Sequence, residues 1–222
     1  FGQAIEFIPL GPPAHGGKCL PPRRLKIGYV SADFYKHVVA SFIEPILAHH
    51  DRQQFEIFCY YNNTIIDFVT QWLQQFVDHW CYCADYSDEA LADQIRTDQI
   101  DILVDLMGFT GNNRILVLAR KPAPVQMTYL GYSSTTGLTA IDYRLTDAYT
   151  DPEGSAEQFS SETLVRMPHS YFCYQPADET YTTTVNPPPI LQNGYLTFGS
   201  FNHYPKLSPI ILSLWVTILR AL

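Results

Sequence analysis

An acid and an imidazole four residues apart, Asp33 and His37, form the first pair in this chain that could handle a proton. They lie in the run KIGYVSADFYKH, residues 26–37. Strand formers precede them at 26–30, and an apolar helical pattern follows at Val38, Val39, Phe42, Ile43, Ile46 and Leu47. A strand, a loop carrying Asp and His, then a helix is how open α/β sheets place reactive groups at the carboxyl ends of strands. If the loop turns into the helix here, both side chains can face one crevice. The plainer reading of the same spacing has Asp33 capping a turn and His37 in solvent.

A second feature suits an anion. In NHYPKLSP, residues 202–209, Ser208 is a good N-cap and Pro209 fits the first helical position. The N-terminus of such a helix carries unsatisfied N–H groups and a partial positive charge, and Lys206 stands just before it. A cation beside a helix start is a ready site for a pyrophosphate leaving group. The alternative is a Lys that points to solvent. Two glycine-bearing loops add hydrogen-bonding groups: GFTGNNR at 108–114 and LGYSSTTG at 130–137. The first offers Thr110 and Arg114 as donors, and the second is rich in small polar residues suited to a sugar or phosphate.

The elements that must position these groups read as alternating strands and helices. Strands are expected at about 25–31, 55–60, 100–106, 125–130 and 141–145, and helices at about 39–50, 65–80 and from a Ser87 cap onward. Pro45 should kink the first helix or move its start. Strands separated by helices of this length argue an α/β fold with a doubly wound, Rossmann-like parallel sheet. In a parallel sheet the loops after 31, 106 and 130 share one edge. The pattern decays from 150 to 193, after which a new strand at 195–201 and a helix from 210 to 222 open a second domain. Residues 1–10 suit the end of a preceding helix and 11–22 a Pro/Gly linker. The expected division is a linker at 1–23, a first domain at 24–193 and the start of a second at 194–222. Both ends look cut from a longer polypeptide.

Composition narrows the function classes. The chain has 222 residues, 46% of them hydrophobic and 16% charged, enough for a packed core. Net charge is -8 and Lys and Arg occur only in short pairs, which argues against nucleic acid. Five cysteines without a second ligand pair at metal spacing argue against zinc and for reduced thiols in a cytoplasmic protein. No apolar run is long enough to span a bilayer.

Several blocks, in order and in register, resemble the protein O-linked N-acetylglucosamine transferases and their SPINDLY-type relatives. They are RLKIGYVSADFYKH (24–37), FEIFCY (55–60), DQIDILVDLMGFTGNNR (98–114), RKPAPVQMTYLGYSSTTG (120–137), IDYRLTD (141–147), LVRMPHSYFCYQP (164–176) and LTFGSFNHYPKLSP (196–209). The wording is closest to bacterial and SPINDLY-type members. The resemblance implies the N-terminal half of a two-domain B-type glycosyltransferase, with tetratricopeptide repeats upstream. It implies inverting transfer of N-acetylglucosamine from UDP-N-acetylglucosamine to Ser or Thr hydroxyls of proteins, without a metal or other cofactor. Position by position, Asp33 and His37 match an acid and a His of the active site, and Thr110 and Arg114 a loop on the acceptor and sugar side. Leu130 and Gly131 match backbone at the donor sugar, His203 a polar residue near the nucleotide, and Lys206 the Lys that holds the pyrophosphate. The sequence departs from the family at Phe109 (often His or Tyr), Ser133 (usually Pro), and Val38 and Val39 (small polar or Pro), which bears on sugar choice. Fucosyl transfer from GDP-fucose and a non-catalytic peptide-binding half-enzyme are the alternatives. Alone, the fragment is expected to be poorly soluble or inactive.

Overall fold

A computed structural model describes residues 23–176 and 184–222. The expectations for residues 1–22 lie outside the described residues. The chain divides into two compact units, residues 1–175 and 176–222.

The first unit is built on one sheet of seven parallel strands. In chain order they are β1 (Leu25–Ser31), β2 (Phe55–Tyr61), β3 (His79–Tyr82), β4 (Ile102–Asp105), β5 (Val125–Thr128), β6 (Tyr143–Asp147) and β7 (Thr163–Met167). Their spatial order is β3-β2-β1-β4-β5-β6-β7, so the winding reverses between β1 and β4. Helices cover both faces. α1 (Val38–His49) and α2 (Phe68–Leu73) pack Ile43, Leu47 and Leu73 against Ile27, Tyr29 and Ile57. α3 (Asp88–Asp98) and α4 (Ile115–Ala119) pack Leu91, Ile95 and Val117 against Val30, Phe58 and Leu103. The strands alternate face to face, which assigns Tyr29 to one core and Val30 to the other. Each fully buried aliphatic side chain contributes about 1.5–3 kcal/mol to this packing.

Two strands depart from the sequence expectation. The apolar pattern at 65–80 promises one helix, yet α2 ends at Leu73, a 3-10 turn follows at Gln74–Phe76, and β3 begins at His79. The break is tertiary. Asp78 accepts from the Ile57 N–H (2.9 Å) and from Arg24 (3.1 Å), pulling the chain onto the sheet edge. Trp80 then packs on Phe34 and Tyr61, with ring centroids 5.4 and 5.7 Å apart. β7 falls where the pattern decays. As an edge strand with no buried residue, it owes its form to its register with β6. α1 runs unbroken through Pro45, which is buried and has no N–H to offer the Ser41 carbonyl one turn earlier.

In the second unit, residues 195–201 pair with no strand among the described residues, so the expected strand is absent there. A strand exists only by its ladder, and an apolar stretch without a partner has none. The short α5 (Ile190–Asn193) and α6 (Pro209–Ala221) form as their caps direct. No helix among the described residues is long and apolar enough to cross a membrane.

Candidate functional site

The loops after β1, β4 and β5 meet at the carboxyl edge of the sheet, beside the point where the strand order reverses. That is where open α/β sheets form a crevice. A cleft of about 520 Å³ opens there, lined by Asp33, His37, Val38, Phe42, Thr110, Leu130, Gly131 and Phe172, with Tyr35, Val39, Gly111 and Asn112.

Asp33 sits in a turn closed by its own N–H, which donates to Ser31 Oγ (2.9 Å). Its side chain is 16% exposed. Burial pushes its carboxyl up, and the neighbouring His37 partly opposes that. His37 is the N-cap of α1: its Nδ1 accepts from the Val39 N–H at 3.3 Å. The same Nδ1 lies 3.7 Å from Asp33 Oδ2. An Nδ1 that accepts from backbone leaves the proton of a neutral imidazole on Nε2. His37 in this form can donate from Nε2 to a substrate oxygen. Taking up a proton at Nδ1 would trade the cap for an ion pair with Asp33.

The other two loops are fixed from below. Asp105, at the end of β4, is fully buried and accepts from Met107 N–H (3.1 Å), Gly108 N–H (2.8 Å) and Thr128 Oγ1 (3.1 Å). Burial raises its carboxyl and these three bonds oppose the rise. Thr110 is bonded into the same turn, its hydroxyl donating to the Met107 carbonyl at 2.9 Å. After β5, Leu130 holds a φ of 72°, unusual for a residue with a side chain. The turn closes with the Gly131 N–H on the Tyr129 carbonyl at 2.9 Å, so that N–H is already spent. A Cβ at Gly131 would lie 1.9 Å from the Leu106 carbonyl oxygen, so only glycine lets the two loops touch. Further along, Glu162 is 4% exposed and accepts from Thr135 Oγ1 and the Thr136 N–H, each at 2.7 Å.

Of the residues singled out from sequence, Asp33, His37, Thr110, Leu130 and Gly131 therefore share one cleft. Arg114 is not among its lining. Its guanidinium donates inward to Asp88 (2.9 Å), Asn62 (2.7 Å) and the Cys83 carbonyl (3.0 Å), joining α3, α4 and the loop after β2. His203 and Lys206 belong to the second unit. There a 3-10 turn at Tyr204–Lys206 leads into α6, where Ser208 Oγ accepts from the Ile211 N–H at 3.3 Å and Pro209 opens the helix. Lys206 is exposed and makes no ion pair among the described residues. Sequence reasoning missed the buried carboxylates Asp105, Asp147 and Glu162. For Asp105 a signal existed: an acid closing an otherwise apolar strand.

The model of glycosyl transferase family 41 matches residues 14–180. The chain belongs to that family. A tomato protein (Solanum lycopersicum) described as "Probable UDP-N-acetylglucosamine--peptide N-acetylglucosaminyltransferase SPINDLY" is 43% identical over 206 residues, 91% of this chain and 22% of that protein. An Arabidopsis thaliana protein, the similarly described SEC, is 34% identical over 207 residues, 89% of this chain and 21% of its own length. Among solved structures, a variant of the O-GlcNAc transferase of Thermobaculum terrenum superposes with a TM-score of 0.82 at 39% identity. It covers 90% of this chain and 38% of its own. The chain thus spans about a fifth of the length of these curated relatives. The family 41 membership and the strand order agree on a Rossmann-like fold.

Proposed function

We propose that this chain supplies the N-terminal half of the active site of an inverting B-type glycosyltransferase. The enzyme moves N-acetylglucosamine from UDP-N-acetylglucosamine to Ser or Thr hydroxyls of proteins. The observation that carries the reading is the convergence of Asp33, His37, Thr110, Leu130 and Gly131 on one cleft at the strand-order reversal of a family 41 chain.

The acceptor oxygen attacks the anomeric carbon on the face away from the diphosphate. The bond from that carbon to the diphosphate oxygen breaks, and its electron pair leaves with the diphosphate. The hydroxyl proton passes to a base. A carboxyl raised by burial is a better proton acceptor than an ordinary one, which suits Asp33. His37 donates from Nε2 to orient a reacting oxygen. Lys206 and the capped start of α6 hold the developing charge on the diphosphate, so no metal is needed. Cys59, Cys81, Cys83 and Cys173 are free thiols, in keeping with a cytoplasmic setting.

The test is a donor panel on the full-length product of the gene, with a Ser/Thr peptide pool and mass detection of the added sugar. A mass shift with UDP-N-acetylglucosamine is expected. A shift with GDP-fucose alone would move the assignment to fucosyl transfer, and none with either would favour a peptide-binding half-enzyme.

A further inference from the structure

Among the described residues, the loop after β2 lends none to the cleft lining, yet two of its side chains reach the loops that form it. The loop begins with Asn62 and Asn63, directly after Tyr61 closes β2. The Asn62 N–H still follows the sheet, donating to the Ser31 carbonyl at 2.9 Å. The two side chains then part, as successive side chains on an extended chain do.

Asn63 turns to the acid. Its Nδ2 donates to the carbonyl of Ala32, the residue before Asp33, at 2.9 Å. Its Oδ1 accepts from the Thr64 N–H (2.8 Å) and the Ile65 N–H (3.2 Å). Asn62 turns to the other wall. Its Nδ2 donates to the Asn112 carbonyl and its Oδ1 accepts from Arg114 Nη2, each at 2.7 Å. An amide oxygen cannot donate and an amide nitrogen cannot accept, so partners at both ends fix the way each amide faces. For Asn62 the fixing partner is a guanidinium whose side chain is only 12% exposed and whose charge is paired with Asp88.

The backbone that Asn62 holds is a costly one. Asn112 has a φ of 59°, in the left-handed region. Asn enters that region more readily than most residues, but the conformation persists only where the surroundings over-determine it. Asn112 lines the cleft, in the same loop as Thr110. One short stretch outside the cleft thus bonds a carbonyl in each of two cleft loops.

Resting on the glycosyltransferase reading, we propose that Asn62 and Asn63 are positioning residues for transfer: Asn63 places the Asp33 carboxyl, and Asn62, oriented by Arg114, places the loop of Thr110 and Asn112. Arg114 then serves the cleft through another side chain rather than by lining it.

The experiment measures kcat and KM of the full-length gene product with UDP-N-acetylglucosamine and one Ser peptide. Replacing either Asn by Asp keeps the shape and the accepting oxygen and removes the donor. Asn63→Asp should lower kcat about tenfold and leave the peptide KM alone, because it shifts the acid and not the facing wall. Asn63→Ala, which brings no charge near Asp33, should do the same. Asn62→Asp should instead raise the peptide KM about tenfold. Asn62→Ala should raise it as far and melt lower than Asn62→Asp, because the buried guanidinium loses a partner. Two adjacent residues that move two different constants are not the mark of a general loss of stability. Independently of turnover, amide hydrogen exchange should quicken at Thr110 in Asn62→Asp and at Asp33 in Asn63→Asp, where those N–H groups are now bonded within their turns. Faster exchange with unaltered constants would make both Asn structural only and overturn the inference while the transfer reading stands. The same constant altered alike by both Asp variants would show a general loosening of the loop and overturn it too. A wild type that transfers from no donor overturns the parent reading, and the positioning role with it.

Discussion

The two units place their candidate chemistry by different means. In the first, each cleft loop is held by contacts distant in sequence. Asp105 reaches Thr128, Glu162 reaches Thr135 and Thr136, and Asn63 Nδ2 donates to the Ala32 carbonyl at 2.9 Å. In the second, the turn before α6 is held by near neighbours. The Lys206 N–H donates to the His203 carbonyl and the Leu207 N–H to the Tyr204 carbonyl, each at 2.9 Å, and Ser208 caps the helix. No residue of α6 is buried, and Ile210, Leu214 and Leu219 are exposed. The cleft is a tertiary product, whereas the proposed anion site is a local motif written in a few consecutive residues. Substitutions at the braces of the first unit should therefore disturb stability, and those at Lys206 chemistry alone.

The largest effect on chemistry is expected from Lys206→Met, which should slow transfer about 10³-fold in the full-length product. Its melting temperature should stay unchanged, because an exposed Lys in a locally held turn supports nothing else. Retained turnover would remove Lys206 from the diphosphate site. Gly131→Ala is the counterpart in the first unit. The added Cβ meets a backbone oxygen that cannot swing aside, at a cost of about 3 kcal/mol in urea unfolding. A variant as stable as the wild type would show that the two loops do not interlock. His37 separates structure from chemistry at one position. His37→Ala should lose about 1 kcal/mol of helix capping, whereas His37→Asn, which still caps, should not. Both should lose about 10²-fold in transfer; an active His37→Asn would confine His37 to capping. The smallest effect on stability belongs to Asp33→Asn. Because burial raises the Asp33 carboxyl, the folded state holds its proton more tightly than the unfolded one, and stability falls as pH rises through that window. The amide should therefore melt slightly higher at pH 7. The gain should vanish below about pH 4, where the unfolded carboxyl is protonated too. A melting temperature that drops at pH 7 would contradict the burial argument.

The contrast also governs what the sequence made legible. Ser208, Pro209 and the Ser87 cap act on their own neighbours, and each is found where local rules put it. β1, β2, β4 and their loops could be read because buried parallel strands are continuous apolar runs. β3 could not, because the apolar pattern of α2 continues past the helix and only Asp78, bound to residues far upstream, marks the break. β7 and the unpaired run at 195–201 are the two faces of one difficulty: a strand is decided by its partner. Arg114 shows the limit for sites. Its donors satisfy internal carbonyls as readily as they would a ligand, and sequence does not say which way a guanidinium points.

Glu162 has a consequence for how such a site can be inherited or rebuilt. It meets Thr136 across 26 positions of sequence, and Tyr171 meets Tyr129 across 42. The loop after β5 is therefore not an exchangeable part: graft it from a relative without its distant braces and the graft arrives unsupported. Any shortened domain, library or chimaera must carry the span from Arg24 to Tyr171 as one inheritable block, so recombination inside that block should yield few folded offspring.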